Sequence, residues 1–231
     1  MELFDGRVNE FNGLPKLDIK KVKIRRYKPS DRQEIRDICC DTGFLGEPID
    51  SIFSDRELFA DLFTSYYTDK EPKSAFVAEC GGEVIGYLLG CKNGKKFKRF
   101  ITYIMLVNLP RLIWRYFIYY DRKDRKYVKW MLFRSLREIP EIPKNSAHLH
   151  FNLKKNYRGR GIGKGLLDVF FEYLRQNNIN KVYGGVFSFE GKRTEKLYKK
   201  LGFKIYDKRR TTVWKDVIDK KVYLLRIVKE L

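Results

Sequence analysis

Apolar and charged residues alternate from Lys21 to Tyr27, with Val22 and Ile24 separated by basic side chains, which predicts a first strand. Pro29-Ser30-Asp31 follows, and Ser30 or Asp31 with Glu34 close behind supplies a helix start. Ile35, Ile38 and Cys39 then take helical spacing. After Thr42-Gly43 and a loop through Pro48, Leu58, Phe59, Leu62, Phe63 and Tyr66 form the stripe of a second helix. Ala75 to Cys80 and Glu83 to Cys91 are β-rich runs joined through Gly81-Gly82, a hairpin signature. Residues 1–20, with Gly6, Gly13 and Pro15, lack strong periodicity and read as an arm packed on the domain or partly disordered.

The pattern resumes beyond Pro140 and Pro143. Ala147 to Leu153 alternates as a strand, and Leu166, Leu167, Phe170, Phe171 and Leu174 mark one face of a helix running from Lys164 to Asn177-Asn178. Lys181 to Phe187 is a further strand, and a helix from Lys192 to Leu201 ends at Gly202, a C-cap residue. Phe203 to Asp207 and Val222 to Val228 close the set as strands, with Thr211 to Trp214 available to extend the first.

Between strand and helix lies Arg158-Gly159-Arg160-Gly161-Ile162-Gly163-Lys164. A glycine-rich basic turn opening a helix suits a phosphate, because free N–H groups and the helix dipole both favour an anion. It is no P-loop: five residues before Gly163 stands Arg158, and Gly165 occupies the hydroxyl position after Lys164. Nor is it a dinucleotide fingerprint, since Lys164 or Leu166 falls where the third glycine belongs.

The Arg-x-x-Gly-x-Gly run at Arg158–Gly163 resembles the phosphate turn of the GNAT superfamily, the Gcn5-related N-acetyltransferases that use acetyl-CoA. Leu197-Tyr198-Lys199-Lys200-Leu201-Gly202-Phe203 is similar to that family's late Tyr-x-x-x-Gly-Phe segment, in the expected order and spacing. The resemblance covers roughly residues 20–91 and 144–231 of a single domain spanning 1–231. It implies an α/β fold: a mixed central β-sheet with flanking helices, splayed at the acetyl-CoA site. It also implies that acetyl-CoA meets Leu153, Arg158, Gly159, Arg160, Gly161, Ile162, Gly163 and Lys164. Leu153 stands where the family places an N–H near the thioester carbonyl, and Tyr198 where it places the acid that protonates the departing thiolate. By the same analogy Phe44 to Asp50 lines the acceptor site; an ordinary surface loop is the alternative.

The resemblance implies direct acyl transfer to an amine acceptor. The base is not fixed by the motifs. His148 and His150 lie on one face of the strand leading into the turn, and each is either a base or a structurally satisfied histidine. Glu79 and Glu190 are weaker candidates, and a water chain needs none of them. Gly191 and Thr194 stand where many members carry Asn and Ala. The lead-in His148-Leu149-His150-Phe151-Asn152-Leu153 is also similar to the acetyltransferase-like domain of O-GlcNAcases, which keeps alive a catalytically weak acyl-CoA-binding or interaction module.

Residues 92–143 have no assignable counterpart and read as a helical, basic and aromatic insertion. They hold 14 Lys/Arg against 4 Asp/Glu, half of the chain's net charge of +20. Phe100 to Tyr120 approaches the about 20 residues that span a bilayer, but Pro110, Arg111 and Arg115 sit inside it and exclude a span. Three readings remain: helices over the sheet as core or acceptor-site lid, an interfacial surface for an anionic membrane, and a nucleic-acid surface. The net charge is equally consistent with plain solubility or thermal adaptation. A homodimer stays open as well.

Cysteine usage excludes two classes. Cys39, Cys40, Cys80 and Cys91 show no Cys-x-x-Cys spacing, so neither a disulfide framework nor, with two histidines, a zinc site is expected, and no metal is called for. The acidic start at Met1–Asp5 is unlike a signal peptide, and a cytoplasmic location is the expectation.

Overall fold

The structure is a computed structural model and describes residues 21–190 and 194–231. The N-terminal arm and Gly191–Arg193 lie outside the described residues. Seven strands form one sheet in the order β1-β2-β3-β4-β5-β7-β6. They are β1 Val22–Arg26, β2 Ala75–Cys80, β3 Glu83–Cys91, β4 Ala147–Leu153, β5 Lys181–Phe189, β6 Lys204–Thr211 and β7 Val222–Glu230. Every neighbouring pair is antiparallel except β4–β5, which is parallel.

Helices cover both faces. On one side lie α1 Arg32–Asp41, α2 Arg56–Ser65 and α3 Gly94–Val107, above a core that includes Ile35, Ile38, Phe59, Tyr67, Tyr87 and Leu89. On the other lies α7 Ile162–Gln176, whose Leu166, Leu167, Phe170, Phe171 and Leu174 are all buried against Phe76, Ile85 and Leu88. Each such side chain contributes roughly 1.5–3 kcal/mol of burial. Strand β3 is buried on both faces from Val84 onward, which explains its unbroken apolar run. Residues 194–200 form α8, and Gly202, at φ 84°, terminates it as expected.

Two local expectations shift. Strand β6 runs to Thr211, beyond the Asp207 expected, while Trp214 lies past its end. At the first helix, Asp31 rather than Ser30 holds the N-cap position, but its side chain closes no bond to α1 and Glu34 completes no box. Asp31 instead accepts the Lys28 N–H at 2.7 Å across a short turn, and α1 starts after it. Buried Asp31 also pairs with Arg25, itself bound to Glu79 of β2, so the carboxylate serves the sheet edge as well as the helix.

The segment between β3 and β4 is helical: α3, α4 Leu109–Ile118, α5 Arg122–Lys129, a wide turn over Trp130–Arg134, and α6 Ser135–Glu138. Asn93 caps α3, its side chain accepting from the N–H of Lys95 and Lys96. Pro110 falls in the first turn of α4, where a missing N–H costs nothing, so the long apolar run divides there into two helices. Arg115 and Arg111 reach back to the buried Asp55, the N-cap of α2, at 2.7 and 3.6 Å. Tyr120 donates to the same carboxylate at 2.6 Å. Burial raises the pKa of Asp55, but Tyr120, the Leu58 N–H and Arg115 outweigh it and hold the group below the usual carboxylate value. No helix among the described residues is long and apolar enough to cross a membrane.

Candidate active site

The sheet opens between its two parallel strands. β4 and β5 pair only over Ala147–Leu149 and Val182–Gly184, and then part. β3 holds β4 from Cys91↔His148 to Gly86↔Leu153. The Lys154 N–H bonds to Ile85 O at 2.9 Å, which sets the alternation of this ladder: even-numbered residues of β4 bond toward β3 and odd-numbered ones face away. The backbone N–H groups of Phe151 and Leu153 therefore point into the gap, beside Gly185 of β5, which is exposed although it lies inside the sheet. An unpaired strand edge within a sheet is a template for an extended ligand.

The glycine-rich turn stands at the mouth of this gap. Gly159 and Gly161 have φ of 73° and 82°, the left-handed region that glycine takes without penalty. A Cβ added at either would meet nothing within 4 Å, so the space in front of both is open. The first backbone bond of α7 runs from Gly165 N–H to Gly161 O at 3.1 Å. From Gly159 to Lys164 no backbone N–H finds a partner among the described residues. Those free donors at a helix N-terminus fit a phosphate group. Arg160 has no carboxylate partner among the described residues, and Lys164 pairs with Asp168 of its own helix at 2.6 Å.

Arg158 braces the turn from within. Its Nε donates to Leu153 O at 2.9 Å and a terminal nitrogen donates to Gly46 O, also at 2.9 Å. The guanidinium is thus a strut between the end of β4, the turn and the α1–α2 loop. Lys155 and Glu47 add a second tie at 2.8 Å. Gly163 and Gly165 differ from the two left-handed glycines: a Cβ on Gly163 would make ordinary contacts at 3.5 Å, whereas one on Gly165 would strike Ile24 of β1.

Tyr198 lies on the α7 side of the gap, its ring perpendicular to Phe151 at 6.4 Å and to Phe203 at 5.9 Å. Its hydroxyl has no hydrogen-bond partner among the described residues, and burial raises its pKa to about 12. His148 and His150 are on the opposite face of β4, as the alternation predicts. His148 Nδ1 meets the Tyr67 hydroxyl at 2.6 Å, and its ring lies 4.8 Å from Phe97 and 4.7 Å from Tyr183. His150 Nε2 meets the Tyr87 hydroxyl at 3.0 Å, with Asn152 Nδ2 at 3.4 Å and Cys39 Sγ at 4.0 Å. Burial pushes His148 well below its ordinary pKa and His150 down to about 4, so both rings are neutral at pH 7. The Cys39 thiol beside them is inert, with a pKa pushed up to about 12 by burial. Glu79, the weaker candidate base on β2, is engaged by Arg25 at 2.7 Å.

Sequence reasoning missed Tyr87 and Asn152. They are cross-strand partners across β3 and β4, and Asn152 donates to the Tyr87 hydroxyl at 2.9 Å. Nothing local announces that register, because the two residues stand 65 apart in the chain. Trp214 was missed as a site residue too. It packs 5.3 Å from Phe44 of the α1–α2 loop and 4.0 Å from Phe187 on the diverging part of β5. Its buried indole N–H lacks a partner among the described residues.

These features have counterparts in known proteins. A crystal structure of SsHAT matches with a TM-score of 0.68 and 23% identity over 91% of this chain and 98% of that one. Ard1 from Thermoplasma volcanium matches at TM-score 0.51 and 18% identity over 91% of this chain and 99% of its own. A ribosomal-protein-alanine N-acetyltransferase from Brucella melitensis matches at 0.52 and 17%, over 90% and 99%. At such identities the likeness establishes the fold. No curated protein matches the chain. The model of the acetyltransferase (GNAT) family matches residues 36–203, and with a matching sheet, turn and helix order this chain belongs to the GNAT family of acetyltransferases.

Proposed function

We propose that this acetyltransferase moves an acetyl group from acetyl-CoA to an amine. The observation that carries the reading is the parting of β4 from β5 beside a turn whose N–H groups are free. The open β4 edge at Phe151 and Leu153 would pair with the amides of the pantetheine arm. The N–H groups from Gly159 to Lys164, with Arg160 and Lys164 nearby, would hold the pyrophosphate. Arg158 acts through its strut to Leu153 O and Gly46 O, fixing the turn without touching the phosphates.

The two sides of the gap divide the proton chemistry. The Leu153 N–H donates to the carbonyl oxygen as the amine adds and negative charge grows there. As the carbon–sulfur bond breaks, Tyr198 gives its proton to the thiolate; a phenol held near pKa 12 stays protonated across the working range. The amine's own proton leaves on the other face of β4. His150 is neutral and hydrogen-bonded to Tyr87, and it passes that proton outward as a relay. A ring with a pKa of about 4 is too weak to strip an ammonium by itself, so the acceptor reacts as the free amine.

Release of CoA measured against a panel of amines tests this. Acceptor-dependent release from the wild type, lowered about 100-fold in kcat by Tyr198→Phe with acetyl-CoA affinity unchanged, is the expected result. Acetyl-CoA binding without release for any amine would instead establish a binding module.

A further inference from the structure

The helices between β3 and β4 carry an apolar surface that the fold leaves uncovered. Leu106, Ile113, Phe117, Ile118, Phe133 and Leu136 are each between 51% and 80% exposed. On α4 the exposed Ile113, Trp114, Phe117 and Ile118 recur at i, i+1, i+4 and i+5, a single broad stripe, while Leu112 faces the core. Phe117, Ile113, Leu132 and Phe133 line one groove of about 250 Å³ between α4 and the helical turn after α5.

A basic cleft of about 530 Å³ adjoins that groove. Arg122, Arg125, Lys126 and Lys129 line it, and Tyr116 and Lys129 belong to both. Lys126 is paired with Asp216, and Arg125 spends donors on the carbonyls of Tyr116 and Phe117. Arg122 and Lys129 have no carboxylate within ion-pair distance among the described residues. Apolar side chains and cations thus share one surface.

We propose that this surface docks on an anionic phospholipid bilayer, with the stripe of α4 and Phe133 in the acyl boundary and the cleft on headgroup phosphates. Charge complementarity selects this occupant. A second copy would bring one +10 segment against another, and like charges in a desolvated contact repel. A nucleic acid would satisfy the cations, but it offers nothing to bury aliphatic side chains such as Ile113, Ile118 and Leu136. A lipid surface satisfies both sets at once. The inference is independent of the acetyl-transfer reading.

Co-sedimentation of the full chain with vesicles tests it, using phosphatidylcholine alone and phosphatidylcholine with 30% phosphatidylserine. The expected result is binding to the mixed vesicles, weakened by salt, with little binding to phosphatidylcholine. Phe117→Glu with Phe133→Glu, and separately Arg122→Gln with Lys129→Gln, should each reduce the bound fraction at least about tenfold. Both side-chain pairs are exposed, and an unchanged thermal transition would show that the fold is intact. The proposal is overturned by no binding to the mixed vesicles, by binding indifferent to both variants, or by a concentration-dependent dimer that Phe117→Glu disperses. Tight, salt-dependent binding to single-stranded nucleic acid without vesicle binding would overturn it also.

Discussion

The turn at Arg158–Lys164 and the helices of Gly94–Glu138 are both basic, yet they would offer an anion different donors. In the turn the donors are backbone N–H groups, set by two left-handed glycines and the start of α7. Its side chains are largely committed elsewhere: Arg158 braces Leu153 O and Gly46 O, and Lys164 meets Asp168. In the helices the cations are side chains on an exposed apolar face, and the backbone is spent on its own hydrogen bonds. A backbone site tolerates no change of φ, whereas a side-chain site degrades gradually as charges are removed.

One effect that would sharpen this contrast is at the strut. Arg158→Ala removes no phosphate contact in this account, yet it frees the turn and the α1–α2 loop together. Acetyl-CoA affinity should fall about tenfold and the KM of the amine should rise in parallel, as loss of charge-assisted hydrogen bonds to two carbonyls implies. An effect on acetyl-CoA alone, with the amine KM unchanged, would place Arg158 on the phosphates.

The next effect is on stability against pH. His150 has a folded pKa of about 4 and an unfolded value near 6.5, so the unfolded chain binds more protons between those limits. Stability is therefore full above pH 6.5 and falls as pH drops toward 4, and His148, also depressed, adds in the same direction. Unfolding midpoints across that window should drop by a few kcal/mol equivalent, and His150→Gln should flatten the slope. The helical surface, which holds no histidine, should show no such dependence in its vesicle binding.

The smallest effect is at Gly163. A Cβ there meets Leu153 and Phe151 only at 3.5 Å, so Gly163→Ala should leave acetyl-CoA affinity within about twofold. A large loss would mean that the phosphate approaches the helix more closely than the turn's geometry implies.

The same contrast explains what the sequence could disclose. The turn, its strand and its helix lie within thirty residues, and glycine spacing states the backbone directly, so the geometry of the turn was legible. The hairpin at Gly81-Gly82 and the stop at Gly202 were legible for the same reason. The partners of His150 were not, because the β3–β4 register joins Tyr87 to Asn152 across the whole helical segment. Nor was the bond from Arg158 to Gly46 O, because no local signal encodes a reach of 112 residues. Asp55 and Trp214 are of this kind too: each acts through groups brought from distant parts of the chain. Composition alone left the helical segment between core, membrane and nucleic acid. Helical packing resolves part of that ambiguity, placing Phe97 on His148 as core and leaving Phe117 and Phe133 outside.

The central claim is that backbone donors at the glycine turn hold the phosphates of acetyl-CoA. Isothermal titration of acetyl-CoA into the wild type, Gly161→Asn and Gly161→Asp tests it most directly. Both substitutions place a side chain at φ 82°, a conformation Asn and Asp tolerate better than other residues, but only Asp adds charge. The account predicts saturable binding by the wild type, weaker binding by Asn, and a loss of at least about 100-fold by Asp, with unfolding transitions retained. A wild type that does not bind acetyl-CoA, or an Asp variant that binds as tightly as the wild type, would contradict it.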